Sequence, residues 1–180
     1  MKHKYAYKMY HGEMGSLILR DERPQMLLFP GGFCTFEGAS LDAVPHYYTA
    51  DWQGSIRAVT AQDGTVEQVT NYYPFGAPYS DGTSTNTAMQ PFKFGAKELD
   101  MTHAWHTYDF GARIYDPTLA RWLAPDPMME KYYDMSPYGY CMGNPIKYVD
   151  EKGDSVRMIF NKDLQELYIL DMDYYNPKRK

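Results

Sequence analysis

The chain is a succession of short segments in which apolar and polar residues alternate, separated by pairs of turn-forming residues. These pairs are Gly31-Gly32, Asp63-Gly64, Asp81-Gly82, Asn144-Pro145 and Lys152-Gly153. Short alternating segments bounded by such pairs are typical of β-strands joined as hairpins. The pattern predicts an all-β fold of hairpins in meander order, which form a curved ribbon or part of a barrel or shell. At most a short helical turn is expected, near residues 128–131.

The clearest hairpin joins residues 55–60 (SIRAVT) to residues 65–70 (TVEQVT). Both segments are rich in β-branched residues, which favour strands. Asp63-Gly64 lies between them, and this dipeptide is typical of a primed β-turn, in which both central residues have positive φ. We therefore predict a two-stranded hairpin with a primed turn.

Two further segments have local signals. Residues 156–160 predict a strand, whereas residues 163–170 fit either a short helix or a second strand that pairs back. Residues 80–88 are rich in Ser, Thr, Asn and Gly and predict a polar surface loop.

Composition narrows the classes of protein. The 180 residues include 18 tyrosines and carry a formal net charge of only −5, so we expect a folded, strand-rich chain and not a disordered one. Because the sequence pI is about 5.5 and no dense basic stripe is present, nucleic acid is not an expected partner. The longest apolar run is residues 26–29, which is too short to span a membrane.

The N-terminal residues and the two cysteines indicate no signal peptide, disulfide framework or metal site. Residues 1–10 contain lysines with no apolar stretch behind them, so no signal peptide is expected in this chain. Cys34 and Cys141 are far apart and indicate neither a disulfide framework nor a metal-ligand pair. No cofactor is predicted.

A degenerate repeat provides the strongest signal. Its fullest unit is Tyr48-x-x-Asp51-x-x-Gly54, in which an aromatic ring covers a sheet face, Asp caps a turn and Gly takes a conformation that a Cβ forbids. This unit, followed by NYYPFG at residues 71–76, resembles the YD repeats of the rearrangement-hotspot (Rhs) family. Residues 94–153 resemble the Rhs repeat-associated core, in the form seen in Bacteroidetes members. The residues that carry this second resemblance are Tyr108, Asp109, Gly111, Arg113, Tyr115, Asp116, Arg121, Asp126, Pro127, Tyr138, Tyr140, Asn144, Pro145, Asp150 and Gly153.

The resemblance divides the chain into three parts. Residues 1–45 read as one degenerate repeat with N-terminal strands, and residues 46–153 as YD repeats followed by the core. Residues 154–180 form a variable C-terminal stub that matches no motif of the family. The whole is expected to be the C-terminal piece of a larger bacterial protein or a truncated, displaced gene copy, because a few repeats cannot enclose a shell.

What the resemblance implies is a structural function. In the family, YD repeats form a hollow β-shell, the core closes one end, and a variable C-terminal toxin lies inside. The chain is therefore expected to be a scaffold or plug segment of a polymorphic toxin or cell-surface protein, secreted or displayed at the cell surface. Its expected partners are upstream YD-repeat segments, a C-terminal toxin and the immunity protein of that toxin.

Some Rhs proteins also cut themselves after the core with a pair of aspartates. The weak candidates for such a pair are Asp126, Asp134 and Asp150. The sequence departs from the self-cleaving pattern, because Met129 and Tyr132 stand where that pattern has Gly and a second Asp. We therefore expect that two carboxylates do not converge on one water with a shared proton, that Asp126 and Asp150 cap turns, and that the chain is not an enzyme.

Three further features of the sequence admit a functional interpretation: the aromatic residues, two histidines and Cys141. Exposed Tyr and Trp rings would suit a glycan-binding or adhesion module, which saturable quenching of Trp fluorescence by cell-wall glycans would reveal. His103 and His106 are spaced for a metal on a helix but lack a third ligand, so no metal site is predicted. Cys141 is expected to be a small buried apolar residue.

The arginines of the core lead to one more expectation. Arg113 and Arg121 stand among aromatic and acidic residues. We expect at least one of them to pair with Asp109, Asp116 or Asp126 and to stack on a Tyr or Trp ring.

Overall fold

The architecture was obtained from a computed structural model of the chain, which describes residues 8–12, 15–79, 85–86, 89–101, 105–131, 133, 135–154, 156–162 and 166–171. Asp134, His103 and most of the predicted loop at residues 80–88 lie outside these ranges. The chain forms two compact units. Unit 1 comprises Met1–Trp52, Ile56–Asn71 and Ser80–Gln90, and unit 2 comprises Gln53–Ser55, Tyr72–Tyr79 and Pro91–Lys180. The sequence boundaries after residues 45 and 153 stay predictions.

Unit 1 contains a seven-stranded antiparallel sheet in which each strand pairs with the next one along the chain. Consecutive pairing follows from the turn signals, because short loops place successive strands side by side. The strands are β1 (Lys8–Gly12), β2 (Gly15–Arg20), β3 (Arg23–Phe29), β4 (Gly32–Glu37), β5 (Asp42–Ala50), β6 (Ile56–Ala61) and β7 (Val66–Val69).

One face of this sheet is buried. Phe33 on β4 lies opposite His46 on β5, and Val59 on β6 lies opposite Gln68 on β7. All four side chains are buried, because alternate residues of a strand point to the same face. Tyr48, the aromatic residue of the YD unit, packs on this face with its ring centroid 5.5 Å from that of Phe33.

The predicted hairpin at residues 55–70 is confirmed as β6 and β7, but its turn differs from the prediction. Gly64 has a φ of 87°, whereas Asp63 is not among the residues with positive φ. The Gly64 amide donates to the Ala61 carbonyl at 3.0 Å, and the Thr65 amide donates to the Asp63 carboxylate at 2.9 Å. The primed turn was wrong: the Ala61 amide donates to the Thr65 carbonyl at 2.9 Å, and across residues 62–64 an ordinary turn closed by one left-handed glycine suffices.

Unit 2 holds short strands. The first two form the hairpin of β8 (Asn71–Tyr72) and β9 (Pro78–Tyr79). Asn71 belongs to unit 1, and the rest of this hairpin belongs to unit 2. Two antiparallel sheets follow. The first contains β10 (Glu98–Asp100), β11 (Thr107–Asp109), β12 (Ile114–Asp116) and β13 (Arg121–Trp122), and the second contains β14 (Tyr148–Asp150), β15 (Val156–Lys162) and β16 (Glu166–Asp171).

The core of unit 2 is aromatic. Its buried members are Phe94, Tyr108, Phe110, Tyr115, Trp122, Tyr140 and Cys141. Most of the rings meet edge to face or tilted, such as Phe110 and Trp122 at 5.1 Å, an arrangement that aromatic quadrupoles favour. The many tyrosines therefore take the place of aliphatic residues in this core.

Two core tyrosines hold the turn of the NYYPFG segment. The Tyr115 hydroxyl donates to the Phe75 carbonyl at 2.7 Å, and the Tyr108 hydroxyl donates to the Gly76 carbonyl at 3.0 Å. Gly76 has a φ of 86°, and a Cβ there would lie 2.5 Å from the ring of Phe94. This position therefore requires glycine for both its backbone conformation and its space.

The predicted all-β fold is confirmed. The described residues contain antiparallel strands and three-residue 3-10 turns but no α-helix, and the predicted turn is present at Met129–Lys131. The predicted strand at residues 156–160 is β15, and of the two alternatives for residues 163–170 the strand is correct, because β16 pairs with β15. None of the helical segments in the described ranges is long and apolar enough to cross a membrane.

Replacing Gly76 by Ala is expected to destabilise unit 2 by about 3 kcal/mol or more, because overpacking of Phe94 adds to the strain of a positive φ. The matched control is Gly143→Ala, since Gly143 has a φ of 74° and open space around its Cβ position. That control is expected to lose only about 1 kcal/mol. Urea denaturation followed by near-UV circular dichroism measures both, and equal losses would contradict the packing argument.

Candidate functional site

The most densely connected polar group of unit 2 is the side chain of Arg113, which is 1% exposed. Its Nη2 atom lies 3.0 Å from Asp126 Oδ2 and 3.3 Å from Asp150 Oδ2. Its Cζ atom lies 4.2 Å from the centroid of the Trp122 ring. The predicted pairing of a core arginine with an aspartate, stacked on an aromatic ring, is therefore confirmed for Arg113.

The same guanidinium binds two backbone carbonyls. Nε–H donates to the carbonyl of Gly153, and Nη1–H donates to that of Pro137 at 3.4 Å. Arginine suits this position because its planar fork keeps its charge when buried and offers five donors in fixed directions. We call Arg113, Asp126 and Asp150 the arginine cluster.

Each aspartate of the cluster uses its second oxygen to hold a turn. Asp126 Oδ1 accepts from the Met128 amide at 2.7 Å. Asp150 Oδ1 accepts from the Lys152 amide at 3.2 Å and from the Gly153 amide at 2.6 Å. The predicted turn-capping roles are confirmed. Both carboxylates also reach Arg113, each with the oxygen that does not cap. The expectation that they do not converge on one water stays a prediction.

Residues 150–153, which connect β14 to β15, form what we call the junction turn. Three elements bind its successive carbonyls: Lys97 Nζ donates to the Glu151 carbonyl at 2.6 Å, the Ala112 amide donates to the Lys152 carbonyl at 3.0 Å, and Arg113 donates to Gly153. Gly153 has a φ of 76°, and a Cβ there would lie 3.1 Å from the Arg113 amide. The junction turn is thus fixed at every residue.

The electrostatics of the cluster are dominated by burial. Burial raises the pKa of Asp150 to about 6, although the Gly153 and Lys152 amides and the charge of Arg113 lower it. Desolvation outweighs these contacts because the Asp150 side chain is 0% exposed. A carboxyl of this kind gains and loses its proton in mildly acidic solution.

Chemically, the cluster places two carboxylates on one fixed cation that also binds a peptide carbonyl. The Arg113 Nε–H polarises the Gly153 carbonyl, and the nearby carboxyls are groups that accept and donate protons. The same contacts also explain a purely structural arrangement, in which the guanidinium ties together β12, the turn at Asp126 and the junction turn.

The other residues of the core resemblance have mostly structural positions. Asp109 Oδ1 accepts from the Gly111 amide, and Asp116 Oδ1 accepts from the Thr118 and Leu119 amides, so both cap turns. Arg121 is exposed and lies over Tyr138 at 4.8 Å. The remaining members join the aromatic core or the turns around it: Tyr108, Tyr115, Tyr140, Asn144 and Pro145.

The candidate residues for metal binding and nucleophilic chemistry lie as follows in the described part of the chain. No group of three metal-ligating side chains occurs in that part, and His106 is exposed. Cys141 is fully buried, and burial raises the pKa of its thiol to about 12, which disfavours the thiolate. Trp52 and Trp105 are exposed, whereas Trp122 belongs to the core.

A polar group that sequence reasoning missed lies on the buried face of unit 1. His46 Nδ1 is 2.6 Å from Glu67 Oε2, and its Nε2 is 2.9 Å from Thr35 Oγ1. The imidazole stacks on Phe33 at 4.7 Å. Both ring nitrogens are satisfied, as a buried histidine requires. Because the three residues come from three different strands, no local sequence pattern signals the group.

No family model matches the chain. Two curated proteins are similar to it in sequence. Salivary gland surface protein 1 of Aedes aegypti is 34% identical over 109 residues, which are 59% of this chain and 3% of that protein. Toxin subunit YenC2 of Yersinia entomophaga is 29% identical over 119 residues, which are 65% of this chain and 11% of that protein. The chain therefore spans a small fraction of the length of either relative.

Solved structures of toxin assemblies share the fold. The crystal structure of TcdB2-TccC3 matches with a TM-score of 0.59 and 18% identity, over 82% of this chain and 8% of that one. A Tc holotoxin pore of Photorhabdus luminescens matches with a TM-score of 0.56 and 17% identity, over 92% of this chain and 8% of that one. At these identities the likeness establishes the fold.

Replacing Arg113 by Ala is expected to destabilise unit 2 by about 3 to 5 kcal/mol, because the buried carboxylate of Asp150 and the partly buried carboxylate of Asp126 lose their cation. Arg121→Ala is the matched control, because Arg121 is exposed. This variant is expected to change the free energy of unfolding by about 1 kcal/mol or less. The melting temperatures and denaturation free energies of both variants measure the difference. An unchanged stability in both would mean that the arginines are solvated.

Stability is expected to depend on Asp150 in a defined pH window. Because the folded pKa of about 6 exceeds the ordinary 3.8, the native state keeps a proton that the unfolded chain has already lost between about pH 4 and 6. The stability of the natural protein relative to Asp150→Asn should therefore fall by something on the order of 3 kcal/mol as pH rises through this window, and then level off. Urea denaturation of both proteins from pH 4 to 8 measures the difference, and a rise with pH would contradict the raised pKa.

Proposed function

We propose that this chain is a scaffold segment of an Rhs-type toxin or cell-surface protein, in which unit 2 is the core that closes a β-shell and fixes the start of a C-terminal effector segment. The observation that carries the proposal is the junction turn. Its three successive carbonyls are bound by Lys97, Ala112 and Arg113, immediately before the stub at residues 154–180. Two of its amides are bound by the side chain of its own Asp150. A turn fixed in this way holds the chain that follows it in one place.

The comparisons support the same proposal. One relative in sequence is a toxin subunit and another is a surface protein, and the solved structures that share the fold belong to toxin assemblies. The chain covers at most 11% of these proteins, so the remaining repeats of a shell would be supplied by other segments. The partners that follow are upstream YD-repeat segments, a C-terminal toxin and its immunity protein, at a secreted or cell-surface location.

Amide hydrogen exchange tests the proposed anchoring. The Lys152 and Gly153 amides are expected to exchange slowly, because Asp150 holds both. Arg113→Ala should accelerate their exchange by more than about tenfold, whereas Arg121→Ala should leave it unchanged. Exchange at the rate of an unstructured peptide in the natural protein would exclude the junction turn as an anchor.

A second candidate function is self-cleavage after Gly153, and the arginine cluster is the observation that favours it. Water would add to the Gly153 carbonyl carbon, with its proton passing to one carboxylate while Arg113 stabilises the negative charge on the oxygen. The C–N bond would then break, and the nitrogen of Asp154 would take the proton from that carboxyl. Of the three candidates Asp126, Asp134 and Asp150, the proposed pair is Asp126 and Asp150, which share the Arg113 guanidinium.

Intact mass measurement separates the two functions. The scaffold proposal expects one full-length species after prolonged storage at mildly acidic pH, where an aspartate pair would be most active. A species that ends at Gly153, and that Asp126→Asn abolishes, would replace this proposal by self-cleavage. Asp116→Asn is the matched control, because Asp116, the last residue of β12, caps the following turn with its Oδ1 atom.

A further inference from the structure

A small cavity of about 60 Å³ lies beside the junction turn, within unit 2. Its walls include the rings of Phe94, Phe110 and Tyr140. The charged residues Lys97, Asp150 and Glu151 also border it. Water occupies a buried cavity only when there is room and when polar partners are present, and a volume of roughly 15 Å³ holds one molecule. The cavity meets both conditions.

The Lys97 ammonium and the Asp150 carboxylate can each form a further hydrogen bond to water. Lys97 has three donors, one of which binds the Glu151 carbonyl, while its stem lies beside Phe110 with Nζ 5.3 Å from the ring centroid. The Asp150 carboxylate accepts three hydrogen bonds, from Arg113 and from the Lys152 and Gly153 amides. The two oxygens of a carboxylate can accept about four hydrogen bonds. The Gln53 amide, which donates to the Pro145 carbonyl, borders the same space.

We propose that this cavity is a hydration site, in which ordered water links the Lys97 ammonium to the Asp150 carboxylate and makes Lys97 a positioning residue for the junction turn. Lys97 then acts in two ways. It holds the Glu151 carbonyl directly, and through water it favours the ionised form of Asp150, the form that binds Arg113 most strongly. The inference rests on the proposed anchoring function of the junction turn.

The charges around both groups agree with this role. Burial lowers the pKa of Lys97, and Asp150, Glu151 and Asp109 oppose that decrease. Loss of the ammonium therefore removes a favourable charge from the surroundings of Asp150. Within the described residues, the other titratable or charged groups around Asp150 are Arg113, Asp154, Tyr140 and Cys141, together with Asp126 on the same guanidinium.

The test is a titration of the Asp150 side-chain carboxyl by carbon-13 NMR from pH 4 to 8, assigned with Asp150→Asn. In Lys97→Met the midpoint is expected to rise by about one pH unit, because an opposite charge near the carboxylate is lost. Lys97→Arg should stay near the natural midpoint. Lys147→Met is the matched control in unit 2, because the Lys147 ammonium lies over the Tyr148 ring, and it should also leave the Asp150 midpoint unchanged. A purely structural role for Lys97 would not separate the Met and Arg variants in this way.

A second measurement on the natural protein does not depend on any variant. Nuclear Overhauser contacts from water to the ring protons of Phe110 are expected, and their absence would overturn the hydration site. An unchanged midpoint in Lys97→Met, or equal shifts in the Met and Arg variants, would overturn the coupling. Fast exchange of the Lys152 and Gly153 amides together with a shifted midpoint would instead reject the anchoring function and leave the hydration site standing.

Discussion

The buried guanidinium of Arg113 is the constraint on which the rest of unit 2 depends. A charge removed from water is tolerated only when opposite charges and acceptors surround it. Two carboxylates, two carbonyls and the face of Trp122 provide that environment. Because these groups come from widely separated parts of the chain, satisfying one side chain fixes the relative positions of all of them.

The aromatic core complements this polar centre. Tyrosine fills space as phenylalanine does, but its hydroxyl also binds backbone carbonyls, as Tyr108 and Tyr115 do at the turn of residues 75 and 76. Short strands and irregular turns leave many carbonyls without a partner in a sheet, so a core that carries its own donors suits this fold. Stacking, hydroxyl donation and the arginine cluster thus form one connected interior.

The proposed function follows from the position of the junction turn, which is held by this interior. The junction turn is bound by Lys97, Ala112 and Arg113 immediately before the C-terminal stub. The same contacts would hold a peptide bond beside two carboxyls, which is why a scaffold and a self-cleaving core share a geometry. The hydration site extends this arrangement, since the protonation state of Asp150 governs how strongly Arg113 is held.

The sequence by itself determined the features that depend on neighbouring residues. Alternation of β-branched residues predicted the hairpin of β6 and β7, and aspartates two or three residues before turn amides predicted the caps at Asp126 and Asp150. Only the tertiary structure brought Asp150 to the same guanidinium as Asp126, chose a strand for residues 166–171 and assembled His46 with Glu67 and Thr35. These outcomes depend on pairings between distant parts of the chain, and the burial that makes them favourable exists only once the sheets have formed.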